Sequence, residues 1–320
     1  MLKFAFLINA DGYEKYTYDA ARFAGASVPS FKRWKKLYEI HNAEPLNRYF
    51  ELPFKKLWFH SVVDESKFNK DDEIFFILFE SFHMSYSLKF ITYYRKKYKK
   101  AKFIYVFMNP VNDYNLKRVK KIEKLLNLIC VFDRDDAEKY GYVYMPTIPF
   151  ELPERDTREI RSDVFFVGLD KGRLHLLLDI YQKLSSQGMI CDFWISGVPE
   201  EKQKFADKIH YNQKLTYDEV LTHDAQCRCI LEVLQDGKTY CSLRTREAMK
   251  YHKKLLTTNL SIKDNSFYNA DIIQMIKKTD EIDVPFIRKP VKVEMYELAN
   301  PVSFEAFEKS VISAMSETTI

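Results

Sequence analysis

Glycine is scarce in this chain, with 8 residues in 320. Sandwiches and barrels draw on glycine for their many tight turns, so the count favours helices and strands joined by ordinary polar loops. Cysteine is also sparse and shows no disulfide spacing: Cys130, Cys191, Cys227, Cys229 and Cys241 make an odd five. Cys227-Arg228-Cys229 has one intervening residue where a zinc knuckle has two, and no histidine stands at ligand spacing. The thiols are expected to be buried structural groups in a reducing cytoplasm. No apolar stretch reaches the roughly 18 residues of a membrane-spanning helix. The N-terminal apolar run turns polar at Asn9, too early for a secretory core. Neither GxxxxGK[ST] nor GxGxxG occurs, which excludes a P-loop and the dinucleotide fingerprint. Asp133-Arg134-Asp135-Asp136 is the nearest approach to a metal-holding acidic pair, and it reads instead as the cap of a helix over 135–140. No metal site and no cofactor are expected.

What is present is a large aromatic and apolar content, 46% apolar with 25 Phe and 21 Tyr, enough for a packed core. The net charge of +5 is concentrated in three basic runs, Lys32 to Lys36, Arg95 to Lys100 and Lys117 to Lys121. Such runs are solvated helix faces or a basic face toward anionic lipid headgroups. No nucleic-acid recognition motif accompanies them, so no nucleic-acid partner is expected. The chain is expected in the cytoplasm, with a peripheral contact at the inner face of the cytoplasmic membrane as the sharper reading of its charge.

Apolar runs at 4–8, 57–63, 73–80, 102–109 and 129–133 read as buried strands, and 14–25, 83–100 and 115–127 as helices between them. The stretch 145–163, with Pro146, Pro149 and Pro153 followed by charges, reads as a linker. The alternation then restarts with strands at 164–168, 190–197, 227–234 and 254–259. Helices are expected at 172–188, 199–209, 216–224, 244–253, 267–278 and 303–315. The expected architecture is α/β, with two Rossmann-like domains: 1–150 joined by a returning C-terminal helix at about 301–320, and 151–300.

In open α/β sheets ligands lie beyond the carboxyl ends of the strands. Two loops of the second half stand there. Gly168-Leu169-Asp170-Lys171-Gly172-Arg173 offers a glycine for close backbone approach, a helix start and two cations. Farther on, Ser242 is a candidate N-cap for a helix that opens Leu243-Arg244-Thr245-Arg246-Glu247. Arg244 and Thr245 suit a diphosphate. Glu247 either complements the helix dipole or holds the vicinal hydroxyls of a ribose.

The pair "FFVGLDKGR" and "SLRTREAMKYHKKLLTTN", with "FDRDDAEKYGYVYMP" closing the first half, resembles the GT-B glycosyltransferases, in particular a group that builds bacterial capsule and lipopolysaccharide. The resemblance implies two domains facing each other across a cleft and a final helix that crosses back to the first. It implies a metal-independent transferase that moves a hexose from a UDP- or GDP-type sugar to a saccharide or lipid-linked acceptor. Residue by residue it implies that Glu247 holds the donor ribose, while Lys171, Arg173, Arg244 and Thr245 line the diphosphate; Gly168 and Ser242 complete the expected donor-binding set. The chain departs from the pattern at Thr239, where many retaining members carry an acid, and at Tyr240-Cys241-Ser242, where Gly-Phe-Gly is usual. Candidate bases for an acceptor hydroxyl are Asp11, Glu80 and His83. The departures leave a second reading, a nucleotide-binding or assembly subunit of the same fold without transferase activity.

Overall fold

The computed structural model describes residues 1–9, 12–23, 28, 35–47, 50–145, 151–235, 237–265, 267–296 and 304–317. Linker residues 146–150 lie outside them. The chain forms two compact units, residues 1–151 with 301–320, and residues 152–300.

Unit 1 holds a five-stranded parallel sheet, β1 (Leu2–Leu7), β2 (Glu73–Phe79), β3 (Lys102–Val106), β4 (Leu128–Val131) and β5 (Val143–Tyr144), ordered β1-β2-β3-β4-β5. Its helices are α1 (Glu14–Phe23), α2 (Lys35–Asn42), α3 (Glu44–Asn47), α4 (Phe59–Val62), α5 (Leu88–Lys97), α6 (Asp113–Lys120) and α7 (Arg134–Tyr140). Successive strands lie side by side, and parallel connections are right-handed, so α4, α5 and α6 gather on one face. There Phe76, Leu78, Phe103 and Tyr105 meet Phe59 of α4, Phe90 and Tyr94 of α5 and Val119 of α6. The alternate residues Phe75, Ile77, Phe79, Ile104 and Val106 face the other way. That side is closed by Phe307, Val311, Ala314 and Met315 of the C-terminal helix, Phe304–Glu317, and by Ala21 of α1. With both faces buried the strands read as unbroken apolar runs. Ser87 caps α5 by accepting from Phe90 N at 3.2 Å, and Asn112 and Asn115 cap α6 reciprocally. Asp133 caps α7, accepting from the N–H groups of Asp135 and Asp136.

Unit 2 holds six parallel strands, β6 (Ser162–Leu169), β7 (Cys191–Ser196), β8 (His210–Tyr211), β9 (Cys227–Glu232), β10 (Lys254–Thr257) and β11 (Ile273–Met275). Their order is β11-β10-β9-β6-β7-β8. The winding therefore starts at β6, runs outward through β7 and β8, then returns to β9 and runs outward the other way. Helices α8 (Leu174–Ser186), α9 (Tyr217–Ala225) and α10 (Leu243–Lys250) connect them. All five cysteines are free thiols, and Cys130, Cys227 and Cys229 are buried.

Three expected elements are different in the structure. The run 57–63 is a 3-10 turn, Lys55–Trp58, followed by α4. Short apolar runs do not reveal their own periodicity, and here Phe59 and Val62, three apart, fill the core together. Residues 199–209 keep only a 3-10 turn at Glu200–Lys202, because only Ile209 of its side chains reaches the buried core. Within 267–278 the chain forms edge strand β11, pairing Leu255 with Ile273. Two adjacent isoleucines, Ile272 and Ile273, are buried there, and β-branched residues fit a pleated edge.

Because the C-terminal helix alone supplies four of the buried side chains on its face, Phe307→Ala is expected to cost about 3–5 kcal/mol. Chemical denaturation should show a lowered midpoint, whereas Ile312→Ala on the outer side should change stability by about 0.5 kcal/mol or less.

Candidate functional site

The strand order of unit 2 reverses direction between β6 and β9, which lie side by side. At such a reversal the loops after the two strands part to opposite faces, leaving a crevice at their carboxyl ends. The loops that part here are the turn Gly168–Arg173 after β6 and the segment after Glu232 that leads to α10.

In the first loop, Lys171 at φ 45 and Gly172 at φ 82 make a tight left-handed turn. Such a φ is uncommon for a lysine. Lys171 is exposed and Gly168 half-buried. A Cβ at Gly168 would stand 3.3 Å from the Phe166 ring and 3.4 Å from the Arg173 guanidinium, so glycine leaves that guanidinium its place. Arg173 donates to the carbonyls of Leu169 and Val233, and its Nε to Asp170 O at 3.1 Å. It thus ties the end of β6 to the end of β9, and burial lowers its pKa. The Asp170 carboxylate accepts from Leu174 N at 2.8 Å and opens α8.

The second loop is organised by an acid the sequence reading did not single out. Glu232, the last residue of β9, is buried. Its Oε1 accepts from Ser242 N at 3.2 Å, Ser242 Oγ at 2.5 Å and Thr245 Oγ1 at 2.8 Å, and its Oε2 from Thr257 Oγ1 at 2.6 Å. Four donors from three residues, Ser242 and Thr245 at the start of α10 and Thr257 of β10, thereby converge on one carboxylate. Ser242 Oγ in turn accepts from Arg244 N at 3.1 Å, capping α10. The Tyr240 carbonyl is held by Asn259 Nδ2 at 3.1 Å.

Beneath this cap lies an ionic cluster. Arg244 Nη1 donates to both oxygens of Asp224, each at 3.1 Å, and Nη2 to Glu247 Oε1 at 2.9 Å. Tyr217 donates its hydroxyl to Glu247 Oε1 at 2.7 Å. Asp224 and Glu247 have no exposed surface. One guanidinium cannot fully offset two buried carboxylates. Burial pushes the pKa of both acids up, and Asp224 well above the usual carboxylate range.

The expected donor-site residues are thus brought to one edge of unit 2, with different fates. Lys171 is open to solvent, and Gly168 and Ser242 are half-buried. Arg173, Arg244, Thr245 and Glu247 direct their polar atoms to partners within the protein. A diphosphate role for Arg244 or Thr245, or a ribose role for Glu247, requires this network to open. In unit 1, Glu80 follows β2, where Oε2 accepts from Met108 N and Asn109 N, both at 2.9 Å, and Oε1 from Asn115 Nδ2 at 3.1 Å. It clasps the loop between β3 and α6. His83 lies in the turn just beyond, edge-on to Tyr38 with ring centroids 5.9 Å apart. Asp11 lies outside the described residues. Among the described residues no group of three or more His, Cys, Asp or Glu is placed to hold a metal ion.

No family model matches the chain, and no curated protein matches it either. Solved structures that resemble it include the catalytic domain of starch synthase IV from Arabidopsis thaliana bound to ADP and acarbose. That likeness has 10% identity over 77% of this chain and 72% of that one, with a TM-score of 0.48. An α-glucosyltransferase in complex with UDP and a mismatched 13-mer DNA resembles it at 11% identity over 98% of this chain and 99% of that one, TM-score 0.45. A putative UDP-N-acetylglucosamine 2-epimerase from Listeria monocytogenes resembles it at 9% identity over 77% and 73%, TM-score 0.41. At these values the likenesses add nothing to the fold read from the two sheets, and the ligands named are those of the other proteins.

The cluster sets a testable asymmetry. Arg244→Ala leaves two buried acids without a cation and is expected to cost about 3–5 kcal/mol. Asp224→Asn, which removes one of the two carboxylates but keeps one oxygen acceptor for Arg244, is expected to cost less, about 1–3 kcal/mol. An acid whose folded pKa is raised holds its proton in the folded state after the unfolded chain has released it. Its contribution to stability is therefore largest below the unfolded value near 4 and declines as pH rises toward the folded value. Denaturation midpoints measured from pH 4 to 8 should fall less steeply for Asp224→Asn than for the parent chain.

Proposed function

We propose that this chain is a glycosyltransferase that takes a sugar from a nucleoside-diphosphate sugar of UDP or GDP type and passes it to a saccharide or lipid-linked saccharide in bacterial surface polysaccharide synthesis. Unit 2 holds the donor and unit 1 the acceptor. The observation that carries the reading is the reversal of strand order between β6 and β9, with the turn Gly168–Arg173 and the start of α10 at that reversal. Lys171 and the N–H groups at the start of α8 supply positive charge to the leaving diphosphate, and the reading needs no metal. The backbone beside Ser242 lets the donor approach closely, while Gly168 leaves room for the Arg173 guanidinium that ties the two loops. Arg173, Arg244, Thr245 and Glu247, tied as they are, hold these loops in position; Glu247 reaches the ribose only as its bond to Tyr217 exchanges.

For the transfer itself the acceptor hydroxyl loses a proton as its oxygen bonds to the sugar's anomeric carbon and the diphosphate departs. Of the candidate bases, Glu80 has both carboxylate oxygens engaged by Met108 N, Asn109 N and Asn115 Nδ2, which hold it to the loop after β3. We assign the proton to His83, with Asp11 as the alternative on the loop after β1.

The test is a thermal-shift panel of nucleoside diphosphates. UDP or GDP at about a hundred times its Kd should stabilise the protein by about 2.7 kcal/mol. Lys171→Ala should weaken that binding about ten-fold, a loss of about 1.4 kcal/mol, with the ligand-free melting temperature unchanged because the side chain is exposed. His83→Ala should keep the nucleotide shift while lowering turnover about 100-fold or more. No shift with any nucleotide would overturn the reading.

A further inference from the structure

Unit 1 holds a cavity of about 620 Å³, lined by Glu73, Arg95, Lys99, Lys100, Lys102 and Asn127. Glu73 opens β2, Lys102 opens β3, and Asn127 immediately precedes β4. The cavity therefore stands at the amino ends of these strands, whereas ligands of open α/β sheets lie beyond the carboxyl ends. Its volume is that of a small-molecule site, but such sites are mostly apolar with a few polar groups. Here four cations face one carboxylate, a local charge of 4 − 1 = +3.

Two of the lining side chains are fixed from within. Arg95 Nη2 donates to Leu125 O at 2.6 Å, and the guanidinium lies 5.4 Å from the centre of the Phe103 ring. Asn127 Oδ1 accepts from Phe103 N at 2.9 Å, and Asn127 N donates to Phe103 O at 2.8 Å. These bonds set the plane of the Asn127 amide and leave its Nδ2 as a spare donor. Lys99 and Lys100 occupy the two corners of a turn closed by Ala101 N on Tyr98 O at 3.1 Å. That turn is anchored, because Tyr98 and Ala101 are buried and Tyr98 stacks on Tyr94 with ring centroids 6.2 Å apart. The two lysines themselves are exposed, and Lys102 is half-buried.

Helix structure accounts for part of this charge and not for the rest. Arg95, Lys96 and Lys97 stand in the last turn of α5, where cations complement the helix dipole, and Lys97 is also bound by Glu65. The dipole's influence fades within that turn, and Lys99, Lys100 and Lys102 lie beyond it. Among the described residues these three lysines and Glu73 form no ion pair, although they line one space. On α6, by contrast, Lys120 takes Glu123 at 2.7 Å. Like charges gathered around a cavity repel one another, and an anion with several charges placed among them turns that cost into attraction. Ammonium groups on flexible stems and a fixed amide N–H suit phosphate oxygens.

We propose that this cavity binds a soluble small molecule bearing several phosphates, held by Lys99, Lys100, Lys102 and Asn127 Nδ2, with Glu73 accepting from a hydroxyl of its organic part. The site does not rest on the transfer reading and is separate from nucleotide binding in unit 2, so either can fail alone. The experiment is titration calorimetry of the full chain with sodium tripolyphosphate, against orthophosphate at equal ionic strength. Tripolyphosphate should bind about ten-fold or more tightly than orthophosphate, and less tightly at high salt. Binding should persist in Lys171→Ala, which lies in unit 2. Asn127→Asp keeps the oxygen that accepts from Phe103 N but sets a negative charge in the cavity. It should hold its melting temperature and lose about ten-fold or more in binding. Lys99→Ala with Lys100→Ala should lose about as much, while Lys117→Ala with Lys204→Ala, which removes as much charge from exposed positions elsewhere, should bind like the parent. The proposal is overturned if the parent ignores tripolyphosphate, whether or not it pellets with anionic vesicles. It is overturned equally if Asn127→Asp and the Lys99, Lys100 pair bind like the parent, or if the Lys117, Lys204 pair weakens binding as much as they do.

Discussion

A parallel β-α-β connection is right-handed, and the two halves of this chain differ in what that single constraint leaves uncovered. In unit 1 each strand is laid beside the one before it, so α4, α5 and α6 fall on one face, and the opposite face is left to Ala21 of α1 and to the C-terminal helix. In unit 2 the winding turns back at β6, both faces are covered locally, and the uncovered place is a crevice at the strand ends. The first arrangement calls for a helix from far along the chain. The second parts the two loops that follow β6 and β9.

At that crevice the chain has placed acids where an apolar strand and an apolar helix side would otherwise continue. Glu232 gathers hydroxyls and an amide from the start of α10 and the end of β10. Asp224 and Glu247 enclose Arg244. Buried charges are costly unless their partners are exact in number and direction, and these contacts tie the start of α10 to the ends of β9 and β10.

Much of this was legible in the sequence. Long apolar runs bounded by polar turns marked the principal strands of both sheets, and Asp133 and Ser242 were readable as caps. Two things were not. One was the identity of short elements: β5, β8 and β11 are too brief to carry a period, and 57–63 gained its helical form from Phe59 and Val62 meeting the core. The other was the direction of polar side chains. Arg244 and Glu247, three apart on α10, are as well spaced to bind each other as to bind a ligand. Only the buried Asp224 and the half-buried Tyr217 bonded to them decide the matter in this structure. Glu232 had a signal of its own, an acid ending an otherwise apolar strand, which is a position without a purely hydrophobic explanation.

The helix that closes the second face of unit 1 lies at residues 304–317, after the whole of unit 2. On a ribosome, β1 through β5 are made long before it. Phe6, Phe75, Ile77 and Phe79 therefore have no cover from it while roughly half of the chain is still being synthesised at about 5–20 residues per second. Unit 2, contiguous in sequence, can finish folding in that interval. Unit 1 is thus begun before unit 2 and completed after it, and the nascent chain carries an apolar face that invites a chaperone until residues 304–317 emerge.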